Sequence, residues 1–229
     1  MIEVRKFKEL GSADHGWLQA RHHFSFAGYY DPERLGWGDL LVWNDDTIAV
    51  NRGFPMHPHA DMEIVTYVRD GAITHQDSLG NKGRTRAGDV QVMSAGTGIR
   101  HSEYNLEDET TRIFQIWILP EQNGGTPRWG TRPFPKAPGQ LVTLASGFPE
   151  DEALPIRAKA RVIGATLAKG DRVSLPVDPA RHLYLVPAVG SVVVNGVSVG
   201  TRDGAGIHDV ANLEIEAVED AEIVLVDAA

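Results

Sequence analysis

Apolar residues along this chain come in short bursts separated by glycine, proline and acidic or amide residues, and nowhere at a sustained helical spacing. Leu40 to Trp43, Met62 to Val68, Val90 to Met93 and Arg112 to Leu119 read as strands in the first half. Arg161 to Leu167, Leu183 to Val186, Ser191 to Val194, Leu213 to Ala217 and Glu222 to Val226 read so in the second. Each is short, rich in Val, Ile, Thr and aromatic residues, and bounded by turn formers. Asp70-Gly71, Leu79-Gly80-Asn81, Asn195-Gly196 and Asp203-Gly204 supply turn signals between them. Asp14 to Ala20 is at most a short helix. The pattern predicts an all-β protein.

The stretch Pro120 to Pro155 has a different texture, with Gly124-Gly125 and with Pro133, Pro135 and Pro138 in close succession. It reads as a connector, within which Leu141 to Leu144 is a candidate strand. The segments on either side repeat one order: a strand, a tight turn, a strand, a loop and a glycine-led strand. Glu63 to Gly71 leads to Ala87 to Val92 in the first half, and His182 to Gly190 leads to Thr201 to Ala205 in the second. We therefore expect two jelly-roll-like β-barrels, residues 1–120 and 156–229, joined through 121–155.

Composition narrows the chemistry. The chain has 229 residues and no cysteine, so disulfides, thiolate ligands and cysteine nucleophiles are excluded and any metal must be held by His and carboxylate. A net charge of −9 argues against broad affinity for nucleic acid. No apolar run approaches a membrane span, and the first residues carry charges inside their apolar stretch, unlike a secretion signal. The expectation is a cytoplasmic protein without membrane or direct nucleic-acid partners.

Two tracts carry the candidate chemistry: His57-Pro58-His59 and His101-Ser102-Glu103. On a strand, residues two apart project from the same face. If the tracts lie on neighbouring strands, three imidazoles and a carboxylate converge, a donor set suited to a divalent transition metal with open positions. Bland readings suit the other histidines. His22 and His23 pack or hydrogen-bond near a barrel mouth, His75 caps a turn with Asp77, His15 is on the surface, and His182 and His208 are structural. Arg52, Phe54 and Met56 flank the ligands as candidate pocket residues. Gly96 and Gly98 serve backbone geometry before His101.

Gly53 to His59, followed by Glu63 and Gly71, resembles the first motif of the cupin superfamily, and Gly88 to His101 resembles the second. The run Gly88 to Glu103 is similar to the pirin family in particular. So are Arg21-His22-His23-Phe24-Ser25-Phe26, Tyr29-Tyr30-Asp31-Pro32, and His75 with Asp77-Ser78 and Gly80. The resemblance is dense over Arg21 to Leu119 and looser afterwards. It implies a bicupin fold with one metal per chain in the N-terminal barrel and a C-terminal barrel without ligands. The implied ligands are His57, His59, His101 and Glu103. The implied metal is iron, although manganese, nickel, cobalt, copper or zinc would suit the same donors. Asp61-Met62 departs from the family, which usually has a small residue and an aromatic there.

The resemblance also implies an activity. Some bacterial pirins are quercetin 2,3-dioxygenases, which take a small aromatic substrate and dioxygen and release carbon monoxide. Glu103 is then the candidate base for the flavonol 3-hydroxyl and Glu63 the reserve, as a neighbouring acid. The alternative is a non-catalytic regulator that binds a protein partner, as eukaryotic pirins do.

Overall fold

In the computed structural model, which describes residues 1–133 and 136–229, the strand bursts pair into four sheets, nearly all antiparallel. Pro135 of the connector lies outside the described residues. One seven-stranded sheet runs, edge to edge, Arg128–Arg132, Val90–Ser94, Glu63–Asp70, Thr111–Ile118, Leu40–Ile48, Leu18–His22 and Gly11–Asp14. A four-stranded sheet of Arg52–His59, Ile99–Asn105, Ala72–Asp77 and Lys82–Arg86 accompanies it in the first barrel.

The second barrel repeats this plan. Its large sheet runs Ile2–Arg5, Gly204–Ile207, His182–Val189, Ala221–Ala228, Arg161–Leu167, Gln140–Ser146 and Leu154–Pro155. Its small sheet runs Arg172–Pro176, Asn212–Ala217, Val192–Val194 and Val197–Val199. The faint repeat in the sequence is thus a repeat of strand order. Sheet membership crosses the chain order at one edge of each barrel. Ile2–Arg5 pairs with Gly204–Ile207 of the second barrel, and Arg128–Arg132, from the proline- and glycine-rich stretch, pairs with Val90–Ser94 of the first.

The two large sheets pack outer face to outer face. Leu40, Trp43, Val65, Tyr67, Phe114 and Ile116 of one share a buried core with Val162, Tyr184, Val186, Val224 and Val226 of the other. Burial of this apolar area is what holds the barrels together. Asp45, fully buried in this layer, is paired with Arg69 and with Arg202 Nε of the second barrel at 2.5 Å.

The barrel interiors differ. The second is filled by aliphatic side chains, including Leu183, Leu185, Val192, Leu213, Ile215, Ile223 and Leu225. The first has smaller apolar clusters, around Ile48, Val68, Ile73 and Ile113 and around Ile64, Met93 and Ile99. It also buries Asn44, Asp46, Thr66, Gln91, His101 and Glu103.

The stretch Asp14 to Ala20 is not helical, which corrects the expectation. Gly11–Asp14 and Leu18–His22 form a hairpin, with Gly16 at φ +78° in the turn and its N–H donating to Asp14 Oδ1 at 2.8 Å. Leu18 and Ala20, two apart, bury one face of a strand, and burial rather than local propensity decides the outcome. Asp203-Gly204 is likewise no turn: the chain turns at Arg202 (φ +65°) and Gly204 opens a strand. No helix among the described residues is long and apolar enough to cross a membrane.

Candidate metal centre

The strand Arg52–His59 contains two prolines, yet it lies at the edge of the small sheet, where a missing N–H costs no ladder bond. Its neighbour is Ile99–Asn105, with His57 directly opposite His101. Between His101 and Glu103 the register shifts, Pro55 and Met56 of one strand standing opposite Ser102 alone of the other. This bulge lets Phe54 and His57 face the same cavity although they are an odd number of residues apart. The nitrogens of His57, His59 and His101 converge within 4.8 Å of one another.

Hydrogen bonds set which nitrogen of two of these rings is free. His57 Nδ1–H donates to the Pro55 carbonyl at 2.7 Å, which leaves Nε2 with its lone pair. Asp77 Oδ2 lies 3.0 Å from His75 Nε2, and His75 Nδ1 lies 3.4 Å from His101 Nδ1. With Asp77 as acceptor, both histidines donate in the same direction along the chain and His101 Nε2 is left bare. That atom is buried without a hydrogen-bond partner. Asp77 is itself anchored by the N–H groups of Leu79 and Asn81 and by Asn81 Nδ2.

Burial, together with the neighbouring imidazoles, pushes His59 down to about 4 and His101 to about 3, so both rings are neutral near pH 7. Neutral imidazoles with free lone pairs and a buried unpartnered nitrogen fit a bound transition metal. Sequence reasoning gave His75 and Asp77 a turn-capping role, which Asp77 does fill, and missed their bond to His101. The signal was available, since the two lie two apart on one strand beside the ligand strand.

Glu103 is not in the converging group. Its Oε1 accepts from Thr66 Oγ1 at 3.0 Å and Gln91 Nε2 at 2.5 Å, and its Oε2 from Gln115 Nε2 at 2.8 Å. The carboxylate is buried in the barrel close enough to His59 for its charge to act on that ring.

Glu63 lies elsewhere. It accepts from Ser94 Oγ at 2.5 Å and stands near Arg128 and Arg157, with burial raising its carboxyl above the usual range. It shares a strand face with Val65 and Tyr67, in the layer between the barrels, while Thr66 faces inward to Glu103. Four residues after His59, Glu63 would share its face if one strand ran through both. The turn through Asp61 (φ +50°) separates two strands in different sheets, so parity does not carry across.

A cavity of ≈ 780 Å³ adjoins His57 and His59, and its walls include Trp17, Phe26, Tyr29, Phe54 and Trp117. The Trp117 ring meets His59 edge-on at 5.0 Å. His22 and His15 also line this cavity, the former bonded to Asn44 Oδ1 at 2.8 Å. His23 is instead buried against Tyr184 Oη of the second barrel at 2.9 Å. Arg52 and Met56 are exposed and do not line the cavity. Gly96 and Gly98 both have positive φ, and a Cβ at Gly96 would lie 2.2 Å from the Gly125 carbonyl. In the second barrel, the register equivalent to His57 and His101 holds Val173, Leu175, Leu213 and Ile215, all apolar.

Two barrels of one strand order, of which the first carries a histidine cluster, define a bicupin. A family model described as Pirin matches residues 3–118, and one described as the quercetinase C-terminal cupin domain matches residues 143–228. The chain is 67% identical to a pirin-like protein of Caulobacter vibrioides, with 100% of both covered. It is 44% identical to the quercetin 2,3-dioxygenase of Escherichia coli K12, covering 99% of this chain and 98% of that one. The crystal structure of the bacterial pirin YhhW from Escherichia coli in complex with nickel(II) superposes with a TM-score of 0.94. The identity is 44%, with 100% of this chain and 99% of that chain covered. The protein belongs to the pirin family.

Proposed function

We propose that this pirin is a metal-dependent dioxygenase that cleaves flavonols such as quercetin with release of carbon monoxide. The observation that carries the reading is the meeting of three imidazoles with an aromatic-walled cavity of ≈ 780 Å³. A cavity of this size suits a drug-sized aromatic molecule. The name of the Escherichia coli relative supports the choice of substrate, and the nickel(II) complex of its homologue supports a divalent metal.

His57, His59 and His101 would hold the metal, iron in this reading, with Glu103 as the carboxylate that joins them. When bound, the metal supplies Lewis acidity to adjacent hydroxyl and carbonyl oxygens of the substrate. The chain's own groups do the rest. Phe54 and Trp117 flank the histidines and orient the flat ligand by ring contacts. The aromatic walls exclude water from the reacting face. Glu103 retains lone-pair capacity on Oε2, which accepts one protein hydrogen bond against two on Oε1. It can therefore take the 3-hydroxyl proton: the substrate O–H bond breaks, a carboxyl O–H forms, and the electron pair stays on the flavonol oxygen. Glu63 faces the other barrel and has no part in this step.

The test is turnover of quercetin in air by the metal-loaded chain, followed by loss of flavonol absorbance and by carbon monoxide release. Glu103→Gln is expected to keep part of its metal and lose most turnover, since an amide takes no proton. Glu63→Gln is expected to keep both. Wild-type protein that holds metal and leaves quercetin untouched would favour the regulatory reading.

A further inference from the structure

We propose that Asp46 is a substrate-binding residue of the first barrel's cavity, a carboxyl group that hydrogen-bonds an oxygen of the aromatic ligand bound there. The inference rests on the reading of that cavity as a substrate site and adds to it a polar contact away from the histidines.

The strand Leu40–Ile48 places Asp45 and Asp46 on opposite faces. Asp45 points into the layer between the barrels and takes both available guanidinium groups, Arg69 and Arg202. Asp46 points into the first barrel with Asn44 and lines the cavity. It is 2% exposed, and its Oδ1 is buried without a hydrogen-bond partner among the described residues. Its cross-strand neighbours are Ala20 on one side and Ile113 on the other, neither of which has a side chain able to bond it. Asn44, the polar neighbour on its own face, has its Oδ1 taken by His22 Nδ1 at 2.8 Å.

A buried carboxyl oxygen left in this way has lost its water without gaining a partner, a cost that a bound ligand can offset by supplying one. Burial, with the charges of Asp45 and Glu103 nearby, holds its carboxyl well above the usual range. Its protonated form, favoured by this environment, presents an O–H donor as well as a carbonyl acceptor. Aromatic walls beside such a group select a flat ligand carrying hydroxyl or carbonyl oxygens over a bare hydrocarbon.

The experiment is a titration of the nickel-loaded full chain with quercetin under nitrogen, read by tryptophan fluorescence. Wild type, Asp46→Asn and Asp46→Ala are compared. Asp46→Ala is expected to weaken binding about tenfold, and Asp46→Asn, which keeps a donor and an acceptor, by less than about threefold. Both variants should keep their metal. An unchanged dissociation constant for Asp46→Ala would overturn the proposal. A second measurement does not depend on that variant folding. The infrared difference spectrum of wild type should show a protonated-carboxyl C=O band that shifts on quercetin binding and is missing from Asp46→Asn. A spectrum without that shift overturns the assignment. Wild type that binds quercetin and fails to cleave it in air removes the dioxygenase reading while the Asp46 comparison stands. Turnover by wild type with no effect of Asp46→Ala removes Asp46 alone. Wild type that does not bind quercetin removes both.

Discussion

His57 and His101 face each other across two strands, so each imidazole has its nearest neighbour in the cluster on a different segment of chain. Loss of either leaves too few donors. His57→Ala and His101→Ala are each expected to lower metal content by at least tenfold in elemental analysis. His182→Ala and His208→Ala should leave it at one metal per chain, and two metals in wild type would contradict a single equipped barrel. His75 acts through His101. His75→Ala should weaken metal affinity by about 10–100-fold, measured by competition with a chelator, because the tautomer and ring position of His101 are then unset. His75 was read from the sequence as a turn cap. Asp77 does bind the turn N–H groups of Leu79 and Asn81, but the imidazole itself is fully buried against His101.

At the scale of elements, the site depends on how closely two strands of the small sheet approach. A Cβ at Gly53 would lie 2.1 Å from the Glu103 carbonyl oxygen and 2.5 Å from Tyr104 Cα, both backbone atoms that cannot swing aside. Gly53→Ala should therefore part the strands beside the bulge. It is expected to destabilise the chain by about 1–3 kcal/mol in urea unfolding and to weaken metal binding with it. This strand, with its two prolines, was not among the elements read from hydrophobic pattern. Its apolar alternation is poor because its inward positions carry histidines. The same holds for Ile99–Asn105, whose inward positions include His101 and Glu103. Of the strands with aliphatic faces, Arg161–Leu167 is legible to the residue, and the others to within one to five residues at their ends.

For the whole molecule, two expectations follow from what fills each interior. A metal held by histidines of two strands would bind only the assembled first barrel, so chelation should lower the melting temperature without abolishing the β signal in circular dichroism, since the second barrel and the layer between them are apolar cores. His23 supplies a pH dependence. It is buried between the barrels, with burial and the charges of Arg34 and Arg202 pushing it down to about 3. Between pH 6.5 and 3 the unfolded chain takes up a proton that the folded chain refuses, so stability falls as pH falls, by at most about 1.4 kcal/mol per pH unit from this group. Above pH 6.5 the effect vanishes. Metal-free His23→Gln should show a shallower acid limb in urea midpoints than metal-free wild type, with His22, His59, His101 and the depressed carboxyls of Asp77, Asp151 and Asp203 among the groups supplying the slope that remains.

The sequence by itself determined the all-β class, the two-fold repeat and the absence of thiol chemistry, because these depend on local periodicity, turn residues and composition. It also singled out His57, His59 and His101, since two-residue spacing carries its meaning along one strand. Only the tertiary structure decided which acids reach them. Glu63 and Asp45 are turned toward the second barrel, and Asp46 and Glu103 into the first, according to sheet faces that a turn or a bulge can reverse. It alone exchanged the edge strands Ile2–Arg5 and Arg128–Arg132 between barrels, since pairing partners far apart in the chain are set by packing. The bare nitrogen on His101 has the same origin: Asp77 and His75 define it through contacts made only when the strands Ala72–Asp77 and Ile99–Asn105 lie side by side.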